Sequence, residues 1–287
     1  MSELSHDVVH TSPLDVASGE HELNLRFAGV CTVCGGEIAK GVRAIYSPTT
    51  KSVHHILCPE FDRGIAGESA YREYDRRLAR DDRRIAVQKE KVEAVFGDGI
   101  LGKIAILMAV DDSPRRSTSV WKQGAIGEEK VGARLDALTE VGVTSLHDRR
   151  IPGTRANIDH LVVTPWGVWV VDAKRYLDKR PELVVSGGLF SPRREQLKVG
   201  GRVSDKLVDG ALWQMDRVRA VVGDRAQVSG ALCFVEADWP LIGGAFRVRN
   251  VEVCWPRRLA KILLIAEQPT LDVDSIARQL AVAFPPA

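Results

Sequence analysis

The chain has 287 residues, 45% of them hydrophobic, and a formal net charge of +2 from 40 Lys and Arg against 38 Asp and Glu. That length suits two domains of unequal size, and that apolar content suits a packed core. The near balance of charge excludes bulk electrostatic attraction to nucleic acid, so any such surface must come from local clustering.

Residues 1–23 are polar and mixed in charge, lack the apolar stretch of a signal peptide, and read as disordered. The longest apolar run, Ile100 to Val110, is interrupted by Gly102 and Lys103 and is too short to span a bilayer. The expectation is a soluble, cytoplasmic protein with no membrane partner.

Residues 24–62 read as a small metal module. The five cysteines are an odd number and three cluster, which points to metal or free thiols rather than disulfides. Cys31-Thr-Val-Cys34 has the spacing that bends two thiolates onto one ion, and His55-x-x-Cys58 supplies a second pair. Between them Ala44-Ile-Tyr46, a Ser47-Pro48 turn and Val53 predict a hairpin. Cys31, Cys34, His55 and Cys58 would fill the tetrahedral shell of a Zn²⁺ and leave no open position, so the ion is expected to be structural; His54 competes with His55 as the third ligand. Such a module would position nucleic acid or a protein partner. Cys233 and Cys254 lie in apolar strand contexts and read as buried thiols.

Residues 63–120 read as a helical connector and linker. Leu78, Ile85, Val92 and Val95 recur at helical spacing and predict one long helix over 68–96, with mixed charges on a solvated face. Gly97 to Gly102 breaks it, Ile104 to Val110 is a short helix or strand, and 111–119 is a linker by composition.

The main domain is placed at 121–287. Ile126, Val131, Leu135 and Leu138 mark its opening helix, and Val143 to Leu146 a strand. After a hairpin, a strand is expected over Leu183 to Phe190, and a helix over Asp209 to Val222 with Leu212, Met215, Val218 and Val222 buried. A central apolar strand over Val228 to Val235, another at Val251 to Cys254, and helices near 257–266 and 272–284 complete the chain. This order predicts an α/β fold with a mixed sheet.

The hairpin carries the chemistry. Asn157-Ile-Asp159-His160 and Val170-Val-Asp172-Ala-Lys174 flank a Pro-Trp-Gly turn, and the midpoint of 159 and 172 falls between Pro165 and Trp166. A turn centred there sets Asp159 opposite Asp172, with Lys174 on the same side as Asp172 and His160 pointing away. Two carboxylates and an ammonium are what a hard divalent cation and an activated water require.

Gly124-x-x-Gly127-Glu128, Asn157-Ile-Asp159-His160, Gly167-Val-Trp-Val-Val-Asp172-Ala-Lys174 and Gln214 occur in that order and together resemble the nuclease-related domain, NERD, of the PD-(D/E)xK phosphodiesterase superfamily. The resemblance covers about residues 121–235. It implies a restriction-endonuclease-like mixed central sheet flanked by helices, and a metal-dependent nuclease. Asp159 and Asp172 would ligate Mg²⁺ or Mn²⁺ with the Ala173 carbonyl, and Glu128 would reach the ion directly or through water. Lys174 would orient or deprotonate the attacking water, and Gln214 would hold Lys174 or the substrate phosphate. Ile158 stands where the superfamily name has Pro, and Asp172 where Glu is frequent.

Arg175, Lys179, Arg180, Arg193, Arg194 and Lys198, with Arg202 and Lys206 beyond, are placed to follow a phosphate backbone, which would make binding salt-sensitive. The expected substrate is nucleic acid, with DNA favoured. The alternative is a non-catalytic nucleic-acid-binding or adaptor protein that retains the nuclease fold.

Overall fold

The computed structural model describes residues 20–33, 36–56, 61–111, 113–188, 191–241, 244–265 and 271–287. The chain divides into two units, 1–60 and 61–287.

In the first unit, strands β1 (His21–Asn24), β4 (Arg43–Ser47) and β5 (Ser52–His55) form an antiparallel sheet, and β2 (Gly29–Val30) pairs with β3 (Glu37–Ile38). The β4–β5 hairpin is the one expected, with Ala44 opposite His55. Residues 21–23, read as part of a disordered terminus, instead pair with β4, Leu23 opposite Ala44. Backbone hydrogen bonds hold that strand, and its four residues include a single large apolar side chain, so no alternation announced it. Among the described residues, the buried hydrophobic core of this unit is Cys31, Ile38 and Ala44.

The second unit opens with helices α1 (Glu68–Phe96), α2 (Ile100–Ala109) and α3 (Arg116–Asp136). The expected long helix is α1. The expected linker over 111–119 instead contains the first turn of α3. Its anchor comes from another helix: the buried Asp81 carboxylate of α1 accepts the Arg115 N–H at 3.0 Å and the Thr118 hydroxyl at 2.7 Å. The first is a backbone donor at the helix N-terminus and the second a side chain of its first turn, and a remote cap of this kind leaves no local sequence signal.

Then come β6 (Thr144–Arg150), β7 (Asn157–Thr164) and β8 (Gly167–Arg175), followed by a separate antiparallel sheet of β9 (Pro181–Gly188), β10 (Ser191–Val199) and β11 (Arg202–Val203). The last two residues of the strand expected to reach Phe190 lie outside the described residues. Helix α4 (Asp205–Val222), strands β12 (Val228–Val235), β13 (Phe246–Val248) and β14 (Val251–Cys254), and helices α5 (Pro256–Leu263) and α6 (Val273–Ala283) complete the unit.

The main sheet runs β13-β14-β12-β8-β7-β6. It is antiparallel from β6 to β8 and parallel from β8 through β12 to β14. Alternation along each strand supplies two faces. Val171, Ala173, Ala231 and Cys233 pack with Val131 and Leu135 of α3 and with Leu259 and Leu263 of α5. Val168, Val170, Leu232 and Phe234 pack with Met215 and Val218 of α4 and with Ile276 and Leu280 of α6. The result is a three-layer mixed α/β unit. Arg149 of β6 is buried and ties the C-terminal segment to the sheet, donating to the carbonyls of Phe284 at 2.6 Å and Ala281 at 2.9 Å. Among the described residues no helix is long and apolar enough to cross a membrane.

Candidate functional site

The β7–β8 turn fixes the register of the site. Pro165 and Trp166 form a two-residue loop between the paired Thr164 and Gly167. The Thr164 hydroxyl closes it, accepting the N–H groups of Trp166 at 3.2 Å and Gly167 at 3.1 Å and donating to the Gly167 carbonyl at 3.0 Å. The last pair away from the turn is His160 with Val171, so the next position sets Asp159 beside Asp172. Both share the sheet face of Leu161, Val163, Val168 and Val170, which is the α4 face.

Asp159 Oδ2 accepts the Ala173 N–H at 2.8 Å. Lys174 Nζ is ion-paired with Asp172 Oδ1 and lies 3.4 Å from the Ala173 carbonyl. Burial, then the charges of Glu128 and Asp172, push the Asp159 carboxyl well above the usual carboxylate range. Glu128 is pushed up to about 7, first by burial and then by the charges of Asp148 and Asp172. Burial alone would favour neutral Lys174, but Asp172, Asp159 and Glu128 outweigh it and hold the ammonium above its ordinary range. The structure therefore gathers Glu128, Asp159, Asp172 and Lys174 into one electrostatically linked group.

Glu128 reaches that group from α3 because its neighbour is glycine. A Cβ at Gly127 would meet Arg175 Cβ at 3.0 Å, so this position lets α3 close on the end of β8, whereas Gly124 has only the Glu128 side chain nearby, at 4.0 Å. Gln214 sits on α4, where its Nε2 donates to the Asn157 carbonyl at 3.2 Å and its buried Oε1 has no partner among the described residues. It contacts the strand of Asp159 rather than Lys174.

His160 faces the other way. Its Nδ1 lies 2.8 Å from His147 Nδ1, and His147 Nε2 lies 2.8 Å from the Asp136 carboxylate. With His147 donating to Asp136, His160 donates to His147 and keeps a bare Nε2, which is buried and has no partner among the described residues. Burial, and then His147, hold His160 well below the usual imidazole range, as suits a neutral packing residue.

A neighbouring network went unrecognised in the sequence. Asp148 on β6 is buried and accepts the Ser69 N–H at 2.5 Å and the Ser69 hydroxyl at 2.7 Å. The Asn157 amide donates to Ser69 Oγ at 3.0 Å and to Asp148 at 3.2 Å. These contacts join the start of α1 to the strand that carries Asp159. The one local hint is His147-Asp148, a charged residue inside a strand; its φ of 48° appears only in the fold.

The predicted basic track is partly neutralised. Arg175 pairs with Glu236 at 2.6 Å, Arg180 with Asp238 at 2.6 Å and Arg193 with Glu195 at 3.1 Å. Lys179 Nζ stands 5.6 Å from the centre of the Tyr176 ring. Arg194 and Lys198 make no ion pair among the described residues, and they alternate with the buried Leu197 and Val199 on the other face of β10. A cavity of about 730 Å³ at the opposite end of the sheet, lined by Trp169, Arg219 and Arg247 among others, contains none of the predicted site residues.

Among the described residues no group of three or more His, Cys, Asp and Glu side chains is arranged as a ready metal site. Of the expected zinc ligands, Cys34 and Cys58 lie outside the described residues. Cys31 is buried, and its Sγ takes the backbone N–H of His55 at 3.4 Å, so these two of the four are adjacent.

The fold and site define a mixed-sheet α/β domain with buried acidic groups and a lysine at neighbouring strand ends. Residues 123–205 match the family model of the nuclease-related domain, NERD. No curated protein and no solved structure matches the chain.

Proposed function

We propose that the larger unit is a metal-dependent nuclease that hydrolyses phosphodiester bonds of nucleic acid, DNA foremost, in the manner of the PD-(D/E)xK superfamily. The observation that carries this reading is the electrostatic coupling of Glu128, Asp159 and Lys174 around the buried Asp172, in a segment that matches a nuclease-related family.

The donors suit a hard divalent ion. They are carboxylate oxygens, and the raised pKa values of Asp159 and Glu128 mean that their negative charge is under-compensated by the protein. Asp159 and Asp172, with Glu128, would hold Mg²⁺ or Mn²⁺. Bound there, the ion would supply Lewis acidity toward a phosphate oxygen and a water of lowered pKa. The protonated state favoured for Lys174 makes it a hydrogen-bond donor and a counter-charge to the developing phosphorane, rather than the base that takes a proton from water. Gln214 Oε1, buried beside Asn157 and without a partner among the described residues, is available to orient a water or a sugar hydroxyl. Arg194, Lys198, Arg202 and Lys206, which make no ion pair among the described residues, would meet a phosphate backbone.

The first unit is read as a structural zinc module. Its described core of three buried hydrophobic residues is small, and soft ligands at Cys31 and Cys34 with His55 and Cys58 would supply a cross-link. Its expected role is to position nucleic acid or a protein partner.

The test is cleavage of labelled single- and double-stranded DNA and RNA with Mg²⁺ or Mn²⁺, alongside EDTA and Lys174→Ala controls. Metal-dependent cleavage lost in Lys174→Ala supports the nuclease. Tight binding without cleavage by folded, zinc-loaded protein would favour the non-catalytic alternative.

A further inference from the structure

Helix α2 has the composition of a core helix and the exposure of a surface one. Gly102 is its single buried residue, and a Cβ there would overlap the Gly97 carbonyl oxygen, so α2 turns back tightly against the end of α1. Ala105 and Ile106 are half-buried beside it. Apart from Lys103, the rest of the helix is apolar and open to solvent: Ile100, Leu101, Ile104, Leu107 and Met108 are 79%, 74%, 48%, 84% and 85% exposed. Positions 100, 104, 107 and 108 follow the spacing of one helical face, and Leu101 lies one turn pair from Met108. Val95 and Phe96, at the end of α1, extend the stripe at 74% and 57% exposed.

Together these seven side chains present apolar surface on the order of 900 Å², more than a monomer usually leaves in one patch and close to one side of a standard protein interface. The charges around it select the occupant. Lys91 and Lys103 are exposed beside the exposed Glu90, Glu93 and Asp98. This rim lacks the basic collar that would draw the helix to an anionic bilayer. It carries both signs, which a second copy related by a two-fold axis can match against itself.

We propose that the α1–α2 end is a self-association surface, covered in solution by the same surface of a second copy. Each chain contributes its α2 stripe and the Val95–Phe96 corner, so the contact is a bundle of four helices. This interface is independent of the carboxylate site and of whether that site cuts nucleic acid.

Sedimentation velocity of the zinc-loaded full chain, across a range of concentrations, tests it. The expected mass is twice 31.5 kDa. The double variant Leu107→Glu with Met108→Glu should fall to the single-chain mass with unchanged circular dichroism, because both side chains are removed from packing. Ile100→Glu gives a second, separate disruption should the double variant lose its fold. Val203→Glu, at an exposed apolar residue of β11, should leave the dimer intact. A single-chain mass at every concentration overturns the proposal. So does a dimer that survives folded α2 variants, or a monomer that co-sediments through α2 with phosphatidylserine-containing vesicles.

Discussion

The Asp159 carboxylate takes the backbone N–H of Ala173 at 2.8 Å, and Ala173 lies between Asp172 and Lys174. One strand therefore hydrogen-bonds the carboxylate that its own aspartate repels. Asn at position 159 keeps the acceptor for that N–H and removes the charge that burial, Glu128 and Asp172 disfavour. Asp159→Asn should raise metal-free stability by about 1 kcal/mol, while weakening Mn²⁺ binding at least about tenfold. Thermal denaturation in EDTA and calorimetric Mn²⁺ titration measure the two. A variant that loses stability and binds Mn²⁺ normally would remove Asp159 from the ion's ligand set.

Glu128 makes metal-free stability depend on pH. Its carboxyl rises from 4.5 to about 7 on folding, so the native state binds a proton that the unfolded chain releases between those values. Stability contributed by that proton is present at acid pH and is lost as pH climbs through about 7. Glu128→Gln should match the wild type below the lower value. Above the upper one it should be more stable by about 2 kcal/mol, less than the full shift implies because the charge is shared with its neighbours. Denaturant unfolding in EDTA across this range would show parallel curves if the carboxyl were unperturbed.

The two motif glycines should behave oppositely. Gly127→Ala presses a methyl against Arg175 Cβ at 3.0 Å, so α3 or the end of β8 must give way. A loss of about 1 kcal/mol and a clear fall in cleavage are expected as Glu128 moves. At Gly124 the added Cβ has room, and alanine should strengthen the helix by roughly 0.5–1 kcal/mol without loss of activity. Equal effects at both positions would mean that the close approach of α3 does not set the site.

The register of the site was legible because the loop is two residues long and symmetric about Pro165 and Trp166; adding or removing one residue there would have sent Asp172 to the other face. His160 followed from the same alternation. What stayed hidden depends on pairs chosen by tertiary packing. Asp81 with Thr118 turned an expected linker into the start of α3, and Asp148 with Ser69 spans 79 residues of sequence. Gln214 was expected to hold Lys174 or a substrate phosphate; the fold adds that its Nε2 donates to the Asn157 carbonyl, because α4 meets β7 at that point. The favoured protonation state of Lys174 also escaped a reading by spacing, since it reflects the sum of three neighbouring charges.

Asp148 should prove a positioning residue. At φ 48°, aspartate and asparagine are tolerated and alanine is strained. Asp148→Ala loses the Ser69 and Asn157 contacts as well, so a cost of about 3 kcal/mol is expected. Asp148→Asn should recover part of it, since its amide oxygen can still accept from Ser69. If the network aligns β7, both variants should lower cleavage in that same order, with the affinity for nucleic acid little changed. Full activity in a folded Asp148→Ala protein would reduce the network to a local support for α1.

The five thiols should separate into two classes. Burial, and then the Cys254 thiol, push Cys233 well above the ordinary thiol range, and burial pushes Cys254 up to about 12, so neither offers a thiolate near neutral pH. Their protection depends on the α3 and α5 packing of the larger unit. Cys31, Cys34 and Cys58 belong to a module whose described core is three residues, and their protection would depend on bound metal. Native protein treated with a thiol reagent should therefore label little, chelator should open these three positions, and denaturant should open all five. Mass spectrometry after each step identifies the modified residues. Prompt labelling of Cys31, Cys34 and Cys58 in untreated, zinc-supplemented protein would sink the zinc assignment, whereas labelling of Cys233 by chelator alone would mean that the two units unfold together.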